Sequence, residues 1–474
     1  MDGVGWSRRI PRWIACSVVG VLAACGDGSH EGCPDDGYCP ATAPVCSVEA
    51  DECIACTTPE GCEHFDDLPI CRNGECVGCT PGIENPDYCP GYVCVEGARC
   101  RQCLAGSECL SGLCWDAHCL YEGEVLYVQA GGSSTSDCSR DDPCGEIGRA
   151  VELAEGYRRY VHIASGEYVE SVAIEPATAA VLIDDLVFFG DPGAVIAPAL
   201  DGAPAIAVEG NDVLIKDLEL VGAMGAGGHG LSCLEGHIAV RDSQIRDGGG
   251  DGISALRCDV AVERSSVVRN GRDGASHDEG ALTIIDSVIT DNAALGVRVG
   301  ACDYVDISRT VVAGNRGGGL QASCRLHAYN DLIVANGSAQ ASVGGVELGA
   351  PYSTLEFTSV ADNRASTSAA ASGVSCTTTM TYVIDSIVAD NGADPPQLAS
   401  CTVRSSLVSP GPPPKPGQNF TGDPDFVSPA DRNYDIGSDS AAIDRATGSI
   451  ADDLHRDPRG PDPGDVGADE YHPP

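Results

Sequence analysis

From about residue 205 the chain sets apolar residues at alternate positions in short runs, and the runs return with a period of 21 to 28 residues. Aligned on Asn270, Asn292, Asn315, Asn336, Asn363 and Asn391, each unit carries an aliphatic residue three positions earlier: Val267, Ile289, Val312, Ile333, Val360 and Val388. Five positions earlier stands a small polar residue: Ser265, Ser287, Thr310, Asp331, Thr358 or Ser386. A Gly follows each Asn and opens a run of mostly alternating apolar positions, as in Gly296-Val297-Arg298-Val299 and Gly345-Val346-Glu347-Leu348. Period-two alternation broken by Asn and Gly predicts short strands, and no helical period lies between them. Strands this short cannot each bury an apolar face alone. Stacked coils can, with equivalent residues about 4.8 Å apart. The expected fold class is all-β, a right-handed parallel β-helix of roughly 9–11 coils. Leucine-rich repeats share the period but need leucine positions that are absent. The recurrent Asn belongs in a tight turn that uses its tolerance of left-handed backbone and its side-chain hydrogen bonds, making a structural ladder.

Cysteine spacing supports this register. Cys233 and Cys258 are 25 residues apart, Cys302 and Cys324 are 22, and Cys376 and Cys401 are 25, each about one coil. Partners one coil apart fall within disulfide reach, so three rung-to-rung staples are predicted, with Cys138 and Cys144 closing a short loop. Upstream, Glu124 to Val128 begins a strand, and Ile147, Ala150, Val151 and Ala154 share one helical face that can plug the N-terminal end of the core.

The N-terminal region differs. Arg8, Arg9 and Arg12 precede an apolar stretch from Trp13 to Ala24, the pattern of a signal peptide over residues 1–24. The ending Leu22-Ala23-Ala24-Cys25-Gly26 resembles the lipobox of bacterial lipoproteins, which implies lipidation of Cys25 and a tether over 25–32. By the same resemblance, Gly26 after the cysteine is compatible with sorting to the outer membrane and cell surface of a Gram-negative bacterium. Beyond the signal no run of 18 apolar residues occurs, so membrane association would rest on the lipid.

Residues 33–120 hold 16 cysteines in four quartets: Cys33, Cys39, Cys46, Cys53; Cys56, Cys62, Cys71, Cys76; Cys79, Cys89, Cys94, Cys100; and Cys103, Cys109, Cys114, Cys119. The C-x2-C junctions look like zinc knuckles, but an exported chain favours disulfides, whose connectivity within a quartet the spacing leaves open. The last quartet resembles small cysteine-rich modules of envelope proteins, which serve as stalks or contact surfaces.

Charge narrows the partners. With 28 Lys plus Arg against 70 Asp plus Glu the net charge is −42, which argues against nucleic acid and repels polyanionic glycans.

A family resemblance covers roughly residues 124 to 472. The run Tyr127-Val128, Ile147, Ala150, Ala154 and Val161-His162-Ile163-Ala164-Ser165-Gly166-Glu167-Tyr168 looks like the opening of pectin-lyase-like β-helix proteins. The tail, with Asp423-Pro424-Asp425-Phe426, Ser440-Ala441-Ala442-Ile443-Asp444, Asp457-Pro458-Arg459-Gly460 and Asp465-Val466-Gly467-Ala468-Asp469-Glu470-Tyr471, is similar to the C-terminal segment of "choice-of-anchor Q" β-helix proteins. The resemblance implies a β-helix over 124–408 and a cap or tail segment over 418–474. Between them Ser409 to Pro416 reads as a stiff proline-rich linker, 409–417.

Relatives of that fold include polysaccharide lyases and hydrolases, so catalysis has to be weighed at the site. Gly228-His229-Gly230 matches a short polygalacturonase motif, but the paired-Asp and Arg-x-Lys motifs that should flank it are missing. Asp247, Asp251, Asp273, Asp278 and Glu279 cluster in sequence; they fit solvated turn acids, or oxygen ligands for calcium from Asp247, Asp251, Asp278 and Glu279. His277 is read as a surface histidine, since it and Asp278 face opposite sides of a strand. Aromatic platforms for sugars are scarce: residues 205 to 400 hold only Tyr304, Tyr329, Tyr352, Phe357 and Tyr382. Insertions follow Asn336 and Asn363 and mark either a binding face or indifferent loops. The reading is a non-catalytic envelope lipoprotein, with no cofactor required, whose β-helix binds a polysaccharide or surface protein or acts as a scaffold. The alternatives are a polysaccharide-active lyase or hydrolase and a purely structural surface protein.

Overall fold

The computed structural model describes residues 82–85, 89–95, 99–176, 186–392, 394–411, 415, 417–460 and 463–472, with four short strands before them. The signal segment, Cys25 and the tether lie outside the described residues, as does much of the proline-rich stretch. The chain divides into two compact units, Met1–Cys119 and Leu120–Pro474.

In the first unit the second half of each cysteine quartet forms an antiparallel strand pair, to which the third quartet adds a further strand, Glu84–Asn85. The paired strands are Val45–Ser47 with Glu52–Ile54, Ile70–Arg72 with Glu75–Val77, Cys89–Val95 with Arg99–Arg101, and Cys114–Trp115 with His118–Cys119. The register sets Cys46 opposite Cys53, Cys71 opposite Cys76, Cys94 opposite Cys100 and Cys114 opposite Cys119. These are always the third and fourth cysteines of their quartet. In the last quartet the bonds run Cys103–Cys114 and Cys109–Cys119, with Cα separations of 5.8 and 5.2 Å.

The second unit is a parallel β-helix. One sheet of 19 strands and another of 11 run its length. The coils Ile206–Lys216, Leu231–Arg241 and Ile253–Glu263 each cross the long sheet as one eleven-residue strand. That strand is bent at a left-handed residue, Glu235 (φ 56°) in one coil and Arg257 (φ 52°) in the next. Later coils split at the bend, as in Ala275–Asp278 and Ala281–Ile285. Parallel pairing stacks like on like: Leu231, Ile253, Ala275 and Val297 form one inward row, and Ile245, Val267, Ile289, Val312, Ile333, Val360 and Val388 another, all at most 2% exposed. The helix Ile147–Leu153 packs Ile147 and Ala150 onto the start of this core.

Both turns use one device, a left-handed residue followed by a buried polar one whose side chain accepts a backbone N–H of the preceding coil. At the first turn the left-handed residues include Asp242, Arg264, Asp286, Arg309 and Asp385, followed by Ser243, Ser265, Ser287, Thr310 and Ser386. At the second they are Arg269, Asp291, Gly314, Ala335, Asp362 and Asp390, each just before a ladder Asn. None of the six Asn residues is itself left-handed, which corrects one reason given for their recurrence. They recur for the hydrogen bonds alone. The Asn292 Oδ1 accepts the backbone N–H and the Nδ2–H of Asn270, while its own Nδ2 donates to the Val267 carbonyl and to Asn315 Oδ1. This pattern repeats to Asn391, where Gln397 Oε1 takes the place of a further Asn. The Gly after each Asn is there for space: a Cβ on Gly296 would sit 2.7 Å from Asn315 Nδ2.

The disulfides Cys233–Cys258, Cys302–Cys324 and Cys376–Cys401 join adjacent coils at Cα separations of 6.2, 5.7 and 5.1 Å, and Cys138–Cys144 closes its loop. The first is not a registered rung pair. Cys233 aligns with Ala255, and Cys258 with Gly236, so the bridge crosses the bend diagonally.

The C-terminal segment starts on the last coil of the solenoid, where Asn419 Oδ1 accepts the Ser406 N–H and Phe420 pairs with Leu407. It runs along its flank and covers the outer face of the 11-stranded sheet in the later coils, packing Tyr434, Ile436, Ala442, Ala446 and Val466 on Leu332, Val334, Ala361, Ile387, Ala389 and Leu407. Arg432 pairs with Asp291, and Arg456 with Asp286.

Candidate functional site

The acids that cluster in sequence are dispersed by the fold. Asp251 and Asp273 are buried turn residues, 2% and 4% exposed, that accept the N–H groups of Asp273 and Leu295. Asp273 also holds Arg298, and Asp251 stands 3.6 Å from His229 Nδ1. Asp247 lies between Arg246 and Arg269, chiefly Arg269, whose hydrogen bond holds its carboxyl below the ordinary range. Asp278 accepts the Ala301 N–H, and Glu279 is the left-handed residue of its bend. Among the described residues, Asp247, Asp251, Asp278 and Glu279 do not form a set of converging ligand atoms. His229 starts the column that continues through Asp251 and Asp273. Its Nδ1 accepts the Asp251 N–H, a role in turn geometry.

His277 is not at the surface. It is 3% exposed, on the inward row, with Nε2 bonded to the Cys258 carbonyl and Nδ1 without a partner. Strand alternation does separate it from Asp278, but it is His277 that points inward.

A groove of about 660 Å³ runs along the outer face of the 11-stranded sheet in the earlier coils, past Glu219, Gln244 and Ser266. Its charges are spent on one another: Asp242 with Arg264, Glu219 with Arg246, and Asp286 with Arg309 and Arg456.

The solenoid's few aromatics gather elsewhere. Beyond the bend of the long sheet, the outward positions of successive coils form adjacent rows. One reads Asp306, His327, Thr354, Tyr382, Thr402, and the next Ser308, Tyr329, Glu356, Ile384, Arg404. Tyr304 and Tyr352 precede the first row by two residues and are 51% and 56% exposed. Of the five aromatics between residues 205 and 400, Tyr304, Tyr329 and Tyr382 stand on outward strand positions of this face and Tyr352 in the turn that leads into it; the fifth, Phe357, lies under Arg459 of the flank segment.

Charge on this face is organised around histidine. His327 Nδ1 is 3.9 Å from Asp306 and its Nε2 4.0 Å from Glu356, and the imidazole stacks on Tyr329 with centroids 5.0 Å apart. The nearby carboxylates of Asp306 and Glu356 outweigh burial and push His327 up to about 9, which favours its charged form. The same acid–histidine–acid sandwich occurs on earlier coils, where His237 stands 2.7 Å from Asp212 and 3.0 Å from Asp259. Arg404 lies over the Tyr382 ring, 5.1 Å from its centroid. Chemically the face offers rings and hydrogen-bonding groups at the rung spacing of about 4.8 Å.

The number of tyrosines does not reveal this face, but their spacing from the ladder Asn does. Tyr304 and Tyr352 both stand 11 residues before their ladder Asn, Tyr382 and His327 stand 9 before, and Tyr329 stands 7 before. These are odd offsets, which on a strand fall on one side, while Tyr352 stands in the left-handed turn just before the strand Thr354–Glu356. The inserts after Asn336 and Asn363 lie at the other turn, where they stack on each other through Ser366 N–H to the Ala341 carbonyl and bury Ala341, Val343 and Ala371.

Strand pairing alone defines the class, a parallel β-helix with a disulfide-rich N-terminal region. No protein-family model matches the chain, and no curated protein does. Among solved structures it is similar to pectate lyase Pel9A at 15% identity and a TM-score of 0.43, covering 73% of this chain and 96% of that one. It is similar to the A-module of mannuronan C-5 epimerase AlgE4 from Azotobacter vinelandii at 17% identity and a TM-score of 0.40, covering 62% and 95%. Pectin methylesterase PemA from Erwinia chrysanthemi is similar at 12% identity and a TM-score of 0.33, covering 64% and 94%. All three scores lie below 0.5, and nothing about substrate follows from the names.

Proposed function

We propose that the chain is an exported, lipid-anchored binding protein of the cell envelope, whose β-helix holds an extended, uncharged polysaccharide against the Tyr304–Tyr329–Tyr352–Tyr382 face without cleaving it. The observation that carries this reading is the gathering of these tyrosines on one exposed face whose histidine is already committed to two carboxylates. Sugar rings stack on aromatic faces, while a net charge of −42 disfavours acidic chains. Fourteen described cysteines in disulfides agree with an oxidising compartment. Among the described residues no helix is long and apolar enough to cross a membrane. The ending Leu22-Ala23-Ala24-Cys25 supports attachment through lipid on Cys25, at the outer membrane.

The test is retention of the mature chain on a panel of neutral and acidic polysaccharides, with product analysis in the same reaction. Retention on a neutral chain, weakened about tenfold by Tyr304→Ala with Tyr382→Ala, is the expected result. Product formation would replace this reading with a lyase or hydrolase. Failure to retain any glycan would leave a scaffold.

A further inference from the structure

The flank segment brings together six residues able to bind a metal and drawn from well-separated parts of its sequence. Asp435 lies in the strand Asn433–Ile436, His455 in the loop that follows, and Asp469 near the end of the segment. One ligand atom from each lies within 4.8 Å of the other two, with Asp435 Oδ1 2.9 Å from His455 Nε2. Beside them Asp453, Asp457 and His472 form a second such set.

The first set is held from behind. Asp469 Oδ2 accepts the Ile436 N–H at 2.8 Å, and the Asp435 N–H is tied to Asn433 Oδ1. Asp453, fully buried, accepts the N–H groups of His455, Asp457 and Glu470, which fixes the loop carrying His455. Outer hydrogen bonds of this kind are what orient metal ligands. The balance of charge points the same way, since in the first set Asp435 and Asp469 share one imidazole. Ligands bound at about 2.0–2.2 Å from one ion stand roughly 3–4 Å from each other, and the atoms of this set all lie within 4.8 Å of one another.

We propose that Asp435, His455 and Asp469 form a site for a divalent transition metal of the zinc class, which ties three stretches of the flank segment together. Mixed imidazole and carboxylate donors favour zinc, cobalt or manganese over calcium, which takes oxygen ligands. With three protein ligands and His455 half-exposed at its side chain, a position stays open to water.

The test uses the mature chain with its disulfides intact, stripped with chelator and titrated with Co2+ and Zn2+. Binding of one equivalent is expected, with a Co2+ visible band that Zn2+ displaces. Affinity should fall about tenfold or more in His455→Ala and in Asp469→Asn but not in His327→Ala. Because His455→Ala could fail to fold, the wild-type chain is also modified with diethyl pyrocarbonate and mapped by peptide mass. Zn2+ should protect His455 from modification. Absence of binding, affinity unchanged in Asp469→Asn, or equal modification of His455 with and without Zn2+ would each overturn the site and leave His455 as the ion-pair partner of Asp435.

Discussion

At the scale of single residues, the column at the first turn shows how one position can be chemically out of step yet fit. Its hydroxyls make the same two bonds in coil after coil. Ser265 Oγ donates to the carbonyl two residues back at 2.8 Å, as do Ser287, Thr310, Thr358 and Ser386, and Ser265 Oγ also accepts the Ser243 N–H. Asp331 occupies the same place. Its Oδ1 accepts the Thr310 N–H, while Oδ2 is buried without a partner. Burial drives its pKa well upward, and Asp306 adds to the shift while His327 opposes it. The shift favours the protonated form, in which the buried carboxyl carries no charge. An acid whose folded pKa is raised contributes most below its unfolded value, near 4, and loses that contribution as pH rises toward the folded one. Asp331→Thr should therefore be the more stable chain at pH 7, by about 2 kcal/mol, with the gap closing toward pH 4. Urea unfolding across that range checks this, and equal stability at pH 7 would mean that the carboxyl is already satisfied.

At the scale of elements, what was legible in the sequence was what repeats. The strands, the aliphatic rows and the Asn and Ser/Thr columns recur at fixed offsets because parallel stacking makes every coil solve the same packing and hydrogen-bonding problem. What was not legible depended on phase or on distant partners. The bend in Leu231–Arg241 puts Cys258 opposite Gly236, an offset invisible to a count of coil lengths. His277 lands on the inward row with Ala255 and Val299, where a histidine reads as surface from composition alone. The cysteine quartets make a sharper case. Their equivalent strand pairs, with third and fourth cysteines opposed, predict that the first-to-third and second-to-fourth bonding of Cys103–Cys114 and Cys109–Cys119 recurs in the other three quartets. Non-reducing peptide mapping should recover Cys79 with Cys94 and Cys89 with Cys100. A peptide joining Cys94 to Cys100 would break the equivalence.

At the scale of the β-helical unit, the flank segment explains an oddity in the second sheet. Its outer face is polar in the earlier coils, with Glu219, Gln244 and Ser266, and apolar in the later ones, with Leu332, Val334, Ile387 and Leu407. Water would not tolerate that row uncovered, so those residues were a signal in the sequence that something lies over them. Arg459 is the residue on which the cover depends. Its side chain, 3% exposed, donates to the carbonyls of Asp465, Gly467 and Ala468, to Asn330 Oδ1 on the solenoid and to Glu470, and lies 4.6 Å over the Phe357 ring. Removing it leaves Glu470, itself 7% exposed, without a countercharge and held only by the Gly460 and Asp465 N–H groups, and opens the apolar row. Arg459→Ala should cost roughly 3–5 kcal/mol, whereas Arg432→Ala, which breaks an exposed pair with Asp291, should cost at most about 1 kcal/mol. In limited proteolysis Arg459→Ala should be cut within residues 418–472 while the coils survive, because the inward rows hold without the cover. Cutting no faster than in the unaltered chain would show that the apolar contacts alone keep the segment in place.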